Sequence, residues 1–209
     1  MLPRRTLGRA LGAAAALLLT GCAAVPQAPP DGRAAQREGL WEARRRALEG
    51  VRRWALEGRF ALTVRAGMGR RGWQGRLSWR HAPQAETLVL ADPTGAGLLR
   101  LRAGPGGAAL AAFGARREGP DGEALLAKAL GRPLPLRALA RWVLGLPAPG
   151  PRRALALDEA GRVRELAQGP WRVRFLGYRP VGELELPAVL EVRGRGLRLR
   201  LAVHRWRLG

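Results

Sequence analysis

A chain of 209 residues with 47% hydrophobic side chains has the length and apolar content of one domain with a sizeable core, which excludes a disordered protein. Its single cysteine, Cys22, excludes an internal disulfide framework and, with only His81 and His204 beside it, a thiol-based structural zinc site; no metal or cofactor is expected. The formal charge of +21 rests on 37 basic residues, all arginine except Lys128, spread through nearly every segment, so it reads as compositional bias and no nucleic-acid partner is expected.

The chain opens with Arg4, Arg5 and Arg9 ahead of the apolar run Ala10 to Leu19, the length of a signal-peptide core and too short to span a bilayer. Leu19-Thr20-Gly21-Cys22 follows and resembles the bacterial lipobox. That resemblance implies cleavage before Cys22, a diacylglyceryl group on its thiol and an acyl group on the new amino terminus, so residues 1–21 are a lipoprotein signal peptide. Several acyl chains give stable membrane attachment where one is marginal. Ala23 stands where an aspartate would resemble an inner-membrane retention signal, which favours the outer membrane, with the domain facing the periplasm. Residues 22–39 are rich in proline and polar residues without apolar periodicity and read as a lipidated flexible tether.

The folded domain is expected over 40–209. Leu40, Ala43, Ala47, Leu48 and Val51 follow helical spacing and predict a first amphipathic helix. The period then changes to two: Phe60, Leu62 and Val64, then Trp73, Leu77 and Trp79, alternate with polar residues. Leu88 and Leu90, Leu99 and Leu101, and further on Trp171, Val173 and Phe175 repeat the pattern, as do Leu197, Leu199, Leu201 and Val203. Trp206 breaks the last register and predicts a bulge or a strand end. "DPTG" and "GPGG" mark turns of an antiparallel meander. Between the two sets of strands lie two helical patterns, one with Leu125, Leu126 and Leu130, the other with Leu136, Leu139, Ala140 and Val143. Gly131 and Gly145 sit at their stop positions. The predicted order is helix, about six strands, two helices and about four or five strands. The fold class is mainly β with α, one curved sheet covered on its open side by helices.

The stretches "LEGRFAL", "GWQGRLSW", "LADPTGAGLLRL", "GRPLPLRALARWVLGLP", "WRVRFLGY" and "LRLRLAVHRWRL" resemble the LolB family of outer-membrane lipoprotein receptors, from Trp54 almost to the C-terminus. The proline-flanked helix bearing Trp142 is the most specific of them. The resemblance implies an unclosed antiparallel β-barrel, a half-barrel, with a helical lid over a hydrophobic cavity that takes up lipoprotein acyl chains. Its partners would be the periplasmic carrier LolA, triacylated lipoprotein cargo and outer-membrane lipid, with the receptor acting as a monomer. The inward residues expected to bound the cavity are Phe60, Leu62, Val64, Trp73, Leu77, Trp79, Leu88, Leu90, Leu99, Leu101, Trp171, Val173 and Phe175, with Leu139, Trp142 and Val143 on the lid. Periodicity finds the buried face and does not say whether that face encloses a void. Family members often carry a leucine after the proline of the loop matching Pro93, Thr94 and Gly95, a membrane-facing tip; here that position is Thr94. Leu98 or Leu99 is then expected to supply a displaced apolar contact, or arginines to hold the loop against anionic head groups.

No enzyme is expected. Ser78 and His81 fall on opposite faces of one strand by alternation, and Glu183 and Glu185 read as solvated charge. Two other readings stay open at this point: a structural or polyanion-binding envelope lipoprotein without acyl uptake, and a hydrolase using Ser78 or a carboxylate.

Overall fold

The computed structural model describes residues 32–209; the expected signal peptide, Cys22 and the first part of the expected tether lie outside the described residues. The elements run α1 (Gly32–Glu49), β1 (Trp54–Ala66), β2 (Gly69–Ala82), β3 (Ala85–Ala91), β4 (Gly97–Gly104), β5 (Gly107–Ala112), β6 (Ala115–Gly119), α2 (Gly122–Leu130), α3 (Leu136–Trp142), β7 (Arg152–Leu157), β8 (Val163–Gln168), β9 (Trp171–Val181), β10 (Leu184–Gly194) and β11 (Leu197–Leu208). The expected order is the observed one.

All eleven strands form one antiparallel sheet, ordered β6-β5-β4-β3-β2-β1-β11-β10-β9-β8-β7. Two meanders therefore meet where β1 pairs β11, and β6 and β7 stand at opposite edges, so the barrel is not closed. Alternation dictates the layering: inward rows such as Leu62 between Leu199 and Trp73, or Leu88 between Trp79 and Leu101, lie side by side across the strands, while arginines alternate outward. The bulge foreseen at Trp206 is there. Glu57 pairs Arg205 while Gly58 pairs Val203, leaving His204 as the extra residue and turning both Val203 and Trp206 inward. Only glycine fits at position 58, because a Cβ there would stand 2.2 Å from the Ala202 carbonyl oxygen.

The lid helices are stopped as expected. Asp121 caps α2, its carboxylate accepting from the Glu123 and Ala124 amides at 2.7 and 3.2 Å, and Gly131 ends it in the left-handed conformation. Pro135 gives α3 no side-chain cap; the Glu123 carboxylate reaches across from α2 and accepts from the Arg137 amide at 2.6 Å. Eleven apolar residues from Leu125 to Leu146 are buried, and Leu126, Val143 and Leu146 wholly so.

The first helix departs from expectation in two ways. It starts at Gly32, so residues 32–39, read as tether, are helical. Its buried face carries Trp41 and Leu48, with Arg44 half-buried, while Leu40 is 44% exposed and Ala43 and Ala47 are exposed. One tryptophan buries far more area than two alanines, and it sets the face. The unit Asp31–Gly209 contains the whole described core, from Trp41 to Trp206, and so has what a domain needs to fold alone.

Candidate functional site

The concave face of the sheet and the lid form one continuous apolar core. Of the sixteen residues expected to bound a cavity, Phe60, Leu62, Val64, Leu77, Trp79, Leu88, Leu90, Leu99, Leu101, Leu139, Trp142, Val143, Trp171, Val173 and Phe175 are buried there, and Trp73 is partly buried against the same cluster. Trp73 stacks at a tilt on Phe113, ring centroids 5.0 Å apart, and Trp142 meets Trp171 at 6.3 Å.

A pocket of about 810 Å³ sits at the end of the sheet where β1 begins, and none of the sixteen lines it. Its floor is Trp54, Leu136, Ala140 and Leu144, and its rim is charged, with Glu86, Asp121, Arg137 and Arg141 among the rim residues. The rim comes from the α1–β1 connection, the β2–β3 and β4–β5 hairpins, the start of α2 and one side of α3. This is the seam between lid and barrel. Turn residues from separate segments carry no shared periodicity, so sequence patterning could not assemble them.

Charged groups on the rim are held by named partners. Glu86 accepts from the Trp79 indole N–H and lies 2.7 Å from His81 Nδ1, and His81 stacks on Trp54. The partner of His81 is thus Glu86, on the neighbouring strand, and not Ser78. Arg137 pairs with Asp121 at 3.0 Å and Arg141 lies 3.7 Å from Glu49, ties that join α3 to α2 and to α1.

The far side of the lid is pinned by one buried amide. Gln168, on β8 and 7% exposed, accepts from Trp142 Nε1 at 3.2 Å and from the Ala148 amide at 3.0 Å, and its Nε2 donates to the Ala148 carbonyl at 2.7 Å. Tyr178 forms a second node: its hydroxyl donates to the Val163 carbonyl at 2.6 Å, and the guanidinium groups of Arg44 and Arg162 lie over its ring. Burial pushes its phenol well above the ordinary value, so it stays neutral. Glu185, expected as solvated charge, instead accepts from Arg162 at 3.1 Å and pairs with Arg44, tying α1 to β10. Neither Gln168 nor Tyr178 was singled out by sequence; a lone polar residue at the end of an alternating strand carries no signal of its partner.

At the opposite end of β3 the loop of Pro93, Thr94 and Gly95 is exposed, as expected. It is also braced. Asp92 accepts from the Thr94 hydroxyl at 2.6 Å and the Ala96 amide at 3.0 Å, and its backbone carbonyl takes the Gly95 amide at 3.0 Å. The Thr94 hydroxyl above all, with the backbone amides, holds the Asp92 carboxyl below its ordinary value. Leu99 is buried and Leu98 half-buried against the core, so neither stands as a fully exposed apolar tip. The exposed large apolar residues toward this side are Phe113, on the β5–β6 turn, whose amide donates to the Leu98 carbonyl, and Met68, at the β1–β2 turn.

Comparison with known proteins identifies a family. The family model described as "Outer membrane lipoprotein LolB" matches residues 52–206. The chain is 34% identical over 198 residues to the outer-membrane lipoprotein LolB of Nitrosococcus oceani, covering 92% of this chain and 94% of the relative. It is 35% identical over 199 residues to that of Halorhodospira halophila, covering 93% and 92%. Among solved structures, a LolA superfamily protein from Nitrosomonas europaea aligns over 83% of this chain and 93% of its own with a TM-score of 0.46 at 7% identity. A family match that spans the sheet from just before β1 into β11, together with relatives alike over nearly their whole length, places this chain in the LolB family of outer membrane lipoproteins.

Proposed function

We propose that this chain is an outer-membrane-anchored receptor that accepts acylated lipoproteins from a soluble periplasmic carrier of the LolA kind and passes them into the outer membrane. The observation that carries the reading is the apolar concave face roofed by the lid helices, with a pocket along the seam. A triacylated lipoprotein exposes roughly 45 methylenes, which costs on the order of 36 kcal/mol in water at about 0.8 per group. Its acyl chains therefore need an apolar host at every step. In this protein the host surface is covered by leucines of α2 and α3, and acyl chains replacing those leucines exchange one apolar contact for another. Such an exchange is close to neutral and breaks no covalent bond, so neither a nucleotide nor a catalytic group is required. The pocket at the seam is the natural entry, because it already parts α3 from the hairpins. Cys22, by its lipobox, is the anchor that keeps the domain at the membrane.

The test is transfer: the unit 31–209 mixed with carrier loaded with a triacylated lipoprotein should take the cargo without added nucleotide. Cargo that stays on the carrier would overturn the reading.

A further inference from the structure

The convex face of the sheet holds a second concavity, apart from the lid and its core. It measures about 420 Å³ and is lined by Arg59, Gln74, Arg76 and Arg200, with Pro93 of the exposed loop at its edge. The register explains why cations collect there. Arg59 on β1 stands directly opposite Arg76 on β2, and Ala61, one outward position along, stands opposite Arg200 on β11 and Gln74 on β2. Side chains opposite in a sheet have Cβ atoms about 5 Å apart and diagonal ones about 7–8 Å, so three guanidinium groups surround one small space. Like charges directly opposite repel, and no carboxylate relieves them. Glu191 faces Arg200 across β10 and β11, but one of its oxygens accepts from Arg193 and the other from Arg198, each at 2.6 Å. Glu57 pairs with Arg205 and Arg207, and Asp92 is engaged by Thr94 and Ala96. Among the described residues, Arg59, Arg76 and Arg200 are left without an ion pair.

The alanines complete the cup: Ala61 and Ala202 line its floor and leave it open where a longer side chain would fill it. Arginine forks match phosphate oxygens, and three of them with an amide donor and no acid suit one phosphate. The position of the cup selects the source. It lies on the outer surface beside the exposed loop of Pro93, Thr94 and Gly95, in a chain of an outer membrane lipoprotein family, so a membrane surface is the phosphate source at hand.

We propose that this groove binds the headgroup phosphate of an anionic membrane lipid, and that Arg59, Arg76 and Arg200 hold the loop end of the barrel to the bilayer. The inference concerns the convex face and is tested with no cargo present. Its failure leaves the acyl-receiving reading standing, and failure of cargo transfer leaves this one standing.

The experiment measures binding of the unit 31–209 to vesicles of phosphatidylcholine with and without phosphatidylglycerol. The Arg59→Gln, Arg76→Gln, Arg200→Gln triple variant is compared with a triple that removes equal charge from the same face outside the groove, at Arg80, Arg102 and Arg172. All six are exposed, and circular dichroism checks that both variants fold. Anionic vesicles should bind the parent well and the groove triple on the order of a hundredfold more weakly, near fivefold for each cation removed from a lipid surface. The control triple should lose only a few-fold. Arg76→Lys, which keeps the charge and loses the fork, should also weaken binding. Equal losses in the two triples, or no loss in the groove triple, would overturn the proposal. So would inorganic phosphate binding with the same arginine dependence while vesicles show none, which would make the ligand a soluble anion.

Discussion

Replacing Gln168 by methionine removes the polar pin of the lid while keeping the length of the side chain. Three hydrogen bonds go at once, those with Trp142 Nε1, the Ala148 amide and the Ala148 carbonyl. Their costs differ. Trp142 is wholly buried, so its indole N–H has no water to turn to and bears the full desolvation penalty, about 1–3 kcal/mol. Ala148 is half-buried, and its two groups can recover solvent, which leaves a net loss near 0.5–1.5 kcal/mol each. Methionine returns roughly 1 kcal/mol by burying no amide. The sum is about 1–5 kcal/mol, centred near 3. Urea unfolding of the unit 31–209 should show a midpoint lower by on the order of 1–2 M at an unchanged slope. If α3 has to swing away for acyl chains to enter, the same change should speed uptake of a fluorescent fatty-acyl probe. A stability loss under about 1 kcal/mol would show that the amide does not fasten the lid. A full loss with unchanged uptake would show that α3 stays in place when chains enter.

Gly161→Ala should loosen α1: the residue is in the left-handed region at φ +69° and its Cβ would stand 2.6 Å from Leu40 Cβ and 2.7 Å from the Trp41 amide, so a loss of about 2–4 kcal/mol in urea unfolding and earlier proteolysis within α1 are expected. Burial raises the Glu191 carboxyl, but hydrogen bonds from Arg193 and Arg198 outweigh it and hold the group below the ordinary 4.5. The stability it contributes is therefore present above that value and lost as pH falls through the folded one; in Glu191→Gln it is already missing at neutral pH, and the gap between the two proteins in thermal melts should narrow as pH falls below 4.5. Thr94→Leu removes the hydroxyl that braces Asp92 and presents an apolar tip whose full burial is worth roughly 1.5–3 kcal/mol, so vesicle binding should rise about tenfold or more while cargo uptake from the carrier is unchanged. In the membrane form, mass spectrometry should find Cys22 as an acylated N-terminus, and Cys22→Ala should leave a soluble, folded domain.

The strand face and the order of elements were readable because alternation is a local property. Phe60, Leu62 and Val64 each reveal their side of the sheet to a reader who sees only their neighbours, and Trp206 reveals a bulge by breaking the count. The same logic misplaced the buried face of α1, where Leu40, Ala43 and Ala47 kept helical spacing but Trp41 supplied the larger area. Leu186, Leu190 and Val192 are also buried, yet the register shifts between Pro187 and Leu190 interrupt their period, and no inward role was assigned to them. What depends on three-dimensional meeting left no trace: the seam pocket draws on several separate turns, and Gln168 meets Ala148 twenty residues away.

The two faces of the sheet divide the work by the same alternation. A strand that turns leucine inward must turn its next residue outward, and in this chain that residue is often arginine, so the apolar host and the cationic groove are built by the same strands β1, β2 and β11. Their positions along the strands differ. The seam pocket lies where β1 begins, beside Trp54, whereas the groove centres on Arg59 and Arg76 and reaches the loop at the far end of β3. Under the two proposals a carrier would approach one end while lipid holds the other. If the two ends act independently, charge removal in the groove and Gln168→Met at the lid should combine additively in a delivery assay, as expected for sites with no shared partner.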